Sequence, residues 1–342
     1  VRTGILSAVG NTPLVRLERF CAHSGFELFA KLESLNPGGS SKDRPALAVL
    51  DAGLSSGAIG PDTVVIESSS GNMGIGLAQA CCRYGLRFIC VVDPKASSFN
   101  LKIMELYGAE VDMVLAPDPI SGELLQARLE RVQLLRRQIP NSFWPNQYAN
   151  VENAGAHYRT TMAEIAAALG GKLDVLFVAT STCGTIRGCA EYARDHSLGT
   201  RIVAVDAVGS LIFADQPGRR LIPGLGASIR PPLCPQDLVH TVVHVTDADC
   251  IVGCRRLLRT EAILAGGSSG GVMSAVDKLA SEIPAGAACV AILPDRGERY
   301  LDTVYDDRWV RDHFGDLDLA GAHAAAEHRI LAGMAQPVTS DP

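Results

Sequence analysis

The chain has 342 residues, of which 47% are hydrophobic and 20% charged, and its formal net charge is −6. These totals support a sizeable globular core and two lobes, and they argue against a disordered chain or one whose main partner is nucleic acid. No apolar run is long enough to cross a bilayer, and the first residues carry no secretory pattern. The ten cysteines form no CxxC pair, which predicts reduced core residues of a cytoplasmic protein and no metal site.

Short apolar runs alternate with helical patterns along the chain. "ELFAKLE" (27–33) predicts a strand. "TVVIES" (63–68) predicts a second, followed by a helix through "MGIGLAQACCRYG". "RFICVVD" (87–93) and "EVDMVL" (110–115) are further strands with a helix between them, and a long helix runs through "ISGELLQARLERVQLLRRQI". The aromatic, proline-interrupted "NSFWPNQYAN" (141–150) reads as a connector between lobes. Beyond it come a helix, "DVLFVAT", a helix, "RIVAVDAV", an irregular stretch, "TVVHVT", two helices and "ACVAILP". β-branched strands alternating with helices predict an α/β fold of mostly parallel sheets covered on both faces. The alanine-rich residues 317–342 predict a tail with a helical piece and a disordered end.

Four loops could carry chemistry. In "NPGGSSKDR" (36–44), Lys42 follows a glycine-serine turn where a helix begins. The positive end of the helix dipole disfavours an ammonium there and lowers its pKa, as suits a nucleophile or base. In "SSSGNMG" (68–74), hydroxyls and freed backbone N–H groups suit a carboxylate. In "STCGT" (181–185), hydroxyls and amides at a helix start suit a small phosphate group. No GxxxxGK[ST] occurs, so a nucleoside triphosphate fits less well. "GGSSGG" (266–271) contains GxSxG centred on Ser268 and again on Ser269, which raises a serine hydrolase as a rival. That motif needs a strand leading straight into the turn, whereas "LRTEAILA" reads as a helix end.

Together these loops resemble the fold type II pyridoxal-phosphate enzymes, the cysteine synthase and cystathionine β-synthase group, from "VGNTPLVRL" to "ILPDRGERYL". The resemblance implies a tryptophan synthase β-like architecture of two lobes, each a mostly parallel twisted sheet covered by helices. Residues 35–146 would form a smaller mobile lobe that takes the substrate carboxylate, and residues 1–34 with 147–316 a larger cofactor-binding lobe. It implies pyridoxal 5'-phosphate joined covalently to Lys42. Asn72 would contact the ring hydroxyl, Ser181, Thr182, Cys183, Gly184 and Thr185 the phosphate, and Ser268 the pyridine nitrogen. Ser69, Ser70, Gly71, Asn72 and Met73 would take the substrate carboxylate, and Gly226 in "PGLGAS" would face the site.

Within the group, "VVDPKASSFNLKI", "NQYAN" and "LPDRGERYLDTVY" are similar to a branch that makes the precursor of the siderophore staphyloferrin B. This implies O-phospho-L-serine and L-glutamate as substrates of a β-replacement that releases phosphate, in a homodimer. The branch points to Arg128, Tyr148 and Ser181 as contacts for the leaving phosphate. Arg128 by itself reads as a solvated surface arginine, and His157 as a structural histidine. Arg187 and Arg296 are both open candidates for the glutamate carboxylate. Met73 replaces the usual threonine and Cys183 the usual glycine of cysteine synthases. A sulfhydrylase making cysteine is the alternative, and an inactive binding relative is a third reading that intact Lys42, Asn72 and Ser268 disfavour.

Overall fold

The computed structural model describes residues 3–22, 24–119, 122 and 124–317. The tail expected at 317–342 falls outside them except for Leu317.

The smaller of two sheets has the order β5-β4-β3-β6 and is parallel throughout. Its strands are β3 (Val64–Ser68), β4 (Arg87–Val92), β5 (Glu110–Met113) and β6 (Ser142–Phe143). Helix α1 (Asp43–Ser55) precedes these strands, and α2 (Asn72–Tyr84), α3 (Ser98–Leu106) and α4 (Leu124–Gln138) join successive ones. Every residue of β3 is buried, as a central parallel strand covered on both faces requires. Alternate side chains serve different layers. Val65, Phe88 and Cys90 pack with α1 and α2, whereas Val64, Ile66, Ile89 and Val91 pack on Val132 and Leu135 of α4. The connector thus contributes β6, where Ser142 and Phe143 pair with Val64 and Val65. Two residues are too short to show a period of two, so the pattern did not announce this strand.

The larger sheet has the order β1-β2-β10-β7-β8-β9. It comprises β1 (Leu14–Leu17), β2 (Glu27–Leu32), β7 (Val175–Ala179), β8 (Arg201–Ala207), β9 (Thr241–Val245) and β10 (Ala288–Leu293). All pairings are parallel except β1 with β2, an edge hairpin that the alternation of strands and helices did not predict. Its helices are α5 (Val151–Ala156), α6 (Ala163–Ala168), α7 (Gly184–Asp195), α8 (Asp247–Glu261) and α9 (Gly267–Leu279), and α10 (Asp307–Phe314) ends the described chain. One face packs Phe177, Val203 and Ala291 against α8 and α9, and the other packs Leu176, Ile202 and Val290 against α7. A π-helical turn, His157–Met162, interrupts the helix between α5 and α6. Such bulges often mark functional positions.

The loops leaving the C-terminal ends of β3, β4, β7 and β10 all reach one cavity of about 390 Å³. Ligands of open parallel sheets sit at that edge.

Candidate active site

Lys42 is the N-cap of α1 and lines this cavity, as its place after the turn predicts. Its amine pKa is lowered. The main cause is burial, while the nearby Asp295 carboxylate pulls the other way. Desolvation acts in the same direction as the dipole argument drawn from the sequence. Among the described residues no hydrogen bond reaches Nζ.

Opposite stands the loop after β3. Ser69 Oγ accepts from the N–H of Gly74 at 2.9 Å, which closes the turn into α2. Ser70 Oγ accepts from Arg128 Nη1 at 3.1 Å, and Arg128 Nε lies 3.1 Å from Asp93 Oδ2. Arg128 is therefore a largely buried wall of the cavity, not a solvated surface arginine. Gly71 and Met73 complete the wall. Asn72, the first residue of α2, is held by groups from the other sheet. Its Nδ2 donates to Asp295 Oδ2 at 2.8 Å, and its Oδ1 accepts from Arg299. A cation on the oxygen and a carboxylate on the amide nitrogen define which way the amide points. The second N–H of Nδ2 remains for a ligand.

The loop after β7 has an unusual backbone. Cys183, the N-cap of α7, has φ +65°, a left-handed conformation that glycine adopts at less cost. A Cβ on the next residue, Gly184, would lie 2.0 Å from Asn153 Oδ1, so that position excludes a side chain. Asn153 Nδ2 also donates to Gln147 O at 2.7 Å and to Thr182 Oγ1 at 3.2 Å, tying the connector to this loop. Buried His157 bridges Thr161 Oγ1 (2.9 Å, Nδ1) and Thr185 Oγ1 (3.1 Å, Nε2). Its pKa is pushed well below the usual range, chiefly by burial and then by Lys42 and Arg44. A neutral ring that fixes Thr185 agrees with a structural histidine.

Ser268 sits in the first turn of α9 and lines the cavity, whereas Ser269 is buried with an unpartnered hydroxyl. The segment before α9 leaves α8 through Ala262 at φ +56°, and no strand feeds the turn. Among the described residues no histidine hydrogen-bonds either serine, since His157 is engaged by two threonines. The nucleophile-elbow reading therefore fails. The glycines of this motif serve packing instead: a Cβ on Gly270 would lie 1.9 Å from Cys250 O on α8.

Tyr148 and Ser181 line the cavity beside Thr182, Cys183, Gly184 and Thr185. Gly226 does not. It stands behind the wall with its N–H on Thr180 O at 2.7 Å, and Pro223 and Gly224 of the same loop face inward. Neither open arginine candidate lines the cavity. Arg187 pairs with Glu191 at 2.8 Å, and Arg296 Nε donates to Ser34 O at 2.8 Å. Sequence reasoning missed Asp93, Lys95, Asp295, Arg299 and Tyr300, all at the cavity except that Asp295 lies just behind Asn72. Tyr300 OH donates to Asp295 Oδ2 at 2.7 Å, and burial raises the Asp295 pKa against that support. The missed signal was positional: these residues follow β4 and β10 at the ligand-bearing edge of their sheets.

The cavity suits a flat aldehyde-bearing ring with one phosphate. It offers a buried amine without a partner, a helix start whose left-handed N-cap opens toward an anion, and a neutral hydroxyl on a second helix start. Residues 5–295 match the family described as "Pyridoxal-phosphate dependent enzyme". N-(2-amino-2-carboxyethyl)-L-glutamate synthase from Ralstonia nicotianae is 48% identical over 310 residues, 91% of each chain. The protein of that name from Cupriavidus metallidurans is 48% identical over 313 residues, 91% of this chain and 92% of that one. A solved hydrogen sulfide-producing enzyme from Fusobacterium nucleatum superposes with a TM-score of 0.82 at 32% identity, covering 88% of this chain and 98% of its own. With loop geometry, family match and full-length relatives in agreement, this chain belongs to the fold type II pyridoxal-phosphate-dependent enzymes.

Proposed function

We propose that the protein joins O-phospho-L-serine and L-glutamate to give N-(2-amino-2-carboxyethyl)-L-glutamate and phosphate. The observation that carries this reading is the partnerless buried Lys42 amine in a cavity that also presents an arginine-backed serine loop. The two relatives at 48% identity bear that product's name.

Lys42 would hold the cofactor, the loop of Ser181, Thr182, Cys183, Gly184 and Thr185 its phosphate, Asn72 its ring oxygen and Ser268 its ring nitrogen. Bound pyridoxal phosphate supplies an electron sink for the carbon that loses the α-proton. Ser268, a neutral hydroxyl, would favour an unprotonated ring nitrogen, where a carboxylate would favour its protonation. A weaker sink favours departure of a β-substituent over transamination or racemisation. Ser69, Ser70, Gly71, Asn72 and Met73 would bind the phosphoserine carboxylate and so aim its Cα–H bond at Lys42, whose amine, freed when the substrate amine takes its place on the cofactor, would remove the proton. Arg128, Tyr148 and Ser181 receive the leaving phosphate as the Cβ–O bond breaks with its electron pair on oxygen. The glutamate amine then supplies the electron pair of the new Cβ–N bond, and Lys42 returns a proton to Cα.

Residues 35–146 form the mobile lobe in this reading, and its closure on the substrate carboxylate excludes water. The bonds from Asp295 and Arg299 to Asn72 span the two sheets, so such a motion would have to carry or break them. The protein works as a cytoplasmic homodimer supplying a 2,3-diaminopropionate precursor of a staphyloferrin B-type siderophore. Ten free cysteines, mostly buried, accord with a reducing compartment. The deciding experiment offers the holoprotein phosphoserine with glutamate or with sulfide and weighs the products by mass spectrometry. The glutamate adduct is expected. Cysteine as the dominant product would instead make the protein a sulfhydrylase.

A further inference from the structure

We propose, on the reading that glutamate is the acceptor, that Lys95 selects for it by receiving its side-chain carboxylate. Among the described residues four cationic side chains line the cavity: Lys42, Lys95, Arg128 and Arg299. Three of them are committed. Lys42 is buried and, on the reading above, holds the cofactor. Arg128 is paired with Asp93 at 3.1 Å and bonded to Ser70 Oγ. Arg299 is spent on Asn72 Oδ1 and the carbonyl of Gly38. The lysine ion pairs among the described residues are those of Lys31 and Lys278, so no carboxylate of a described residue pairs with the Lys95 ammonium.

Lys95 is also held in place at the mouth. Its side chain is exposed, but its backbone N–H donates to Asp93 Oδ1 at 2.8 Å, and the other oxygen of that carboxylate grips Arg128. Asn100 Nδ2, one turn into α3, donates to Ser70 O at 3.3 Å and ties the segment to the serine loop. The second amino acid must pass this rim after the first is seated. An acceptor with a terminal carboxylate meets a free ammonium there, whereas a neutral isostere meets only its desolvation cost.

Glutamine has the shape of glutamate without the charge, so the ratio of the two isolates Lys95. With holoprotein and saturating phosphoserine, Lys95→Met should raise KM for glutamate roughly fivefold to tenfold. KM for glutamine should move less than about twofold, so the preference for glutamate collapses while kcat for glutamate stays within about twofold. Lys95→Arg should retain most of the preference, and Lys95→Glu should weaken glutamate further than Lys95→Met does. A Lys95→Met enzyme with the wild-type glutamate-to-glutamine ratio would overturn the assignment while leaving the reaction intact. A wild-type enzyme that forms no adduct with glutamate would overturn the reaction and the assignment together.

Discussion

Lys42 and Cys183 show how far one side chain's surroundings set its chemistry. Burial holds the Lys42 amine toward its neutral form, the form that can bond an aldehyde or take a proton. Replacing it by alanine should cost about a thousandfold in phosphate release from phosphoserine, on the scale of a lost acid–base group. The visible absorption of the bound cofactor should also shift as its covalent link is lost, and a variant with unchanged spectrum and turnover would remove Lys42 from its role. Cys183 tolerates its left-handed φ because its side chain is unbranched at Cβ. Cys183→Val should lower stability by ~1–2 kcal/mol, since a branched Cβ collides with the backbone there. Thermal melting of the cofactor-free protein measures this separately from cofactor affinity.

At the scale of elements, glycine decides how closely helices meet. Gly253 and Gly270 let α8 and α9 touch backbone to backbone, with Cβ positions 2.1 Å and 1.9 Å from carbonyl oxygens of the facing helix. That contact seats the first turn of α9, and with it Ser268. Gly270→Ala should destabilise the fold by about 3 kcal/mol, because a helix backbone cannot yield as a side chain can. Chemical denaturation would show this, and a loss under about 0.5 kcal/mol would mean that the crossing is loose. The strands were legible from composition: β3, β4, β7, β8 and β10 are short, mostly apolar runs that include β-branched residues, and each forms where its run lies. The hairpin strand β1 and the two-residue β6 were not: each is too short for its own period to show, and β6 is made a strand by β3, some 78 positions earlier in the chain.

Across the whole molecule, a buried ionic cluster joins parts that carry the site. Arg44 of α1, two residues past Lys42, pairs with Glu33 and Glu164 at 2.7 Å, and Lys31 of β2 pairs with Glu164 at 2.6 Å. Burial raises the Glu164 pKa, but the hydrogen bonds and charge of Arg44, with Lys31, outweigh it and bring the pKa down to about 2. A depressed carboxylate contributes stability that is whole above its ordinary pKa of 4.5 and is lost as pH falls from there toward about 2. Glu164→Gln should therefore lower the melting temperature at pH 7 and flatten its decline between pH 4.5 and 2. An acid limb as steep as the wild type's would show that Glu164 is not what acid titrates.

Local chemistry alone determined much of this protein. The alternation of strands and helices, the turn before Lys42 and the three hydroxyl-rich loops at helix starts are legible because propensity and capping act over a few neighbouring residues. Tertiary structure alone decided which charges were spent and which were free. Asp93 and Ser70 engage Arg128, Asp295 and Arg299 orient Asn72, and among the described residues Lys95 is left without an ion pair. Such pairings depend on distances between residues far apart in the chain, up to the 227 positions separating Asn72 from Arg299, which only the packed sheets bring together.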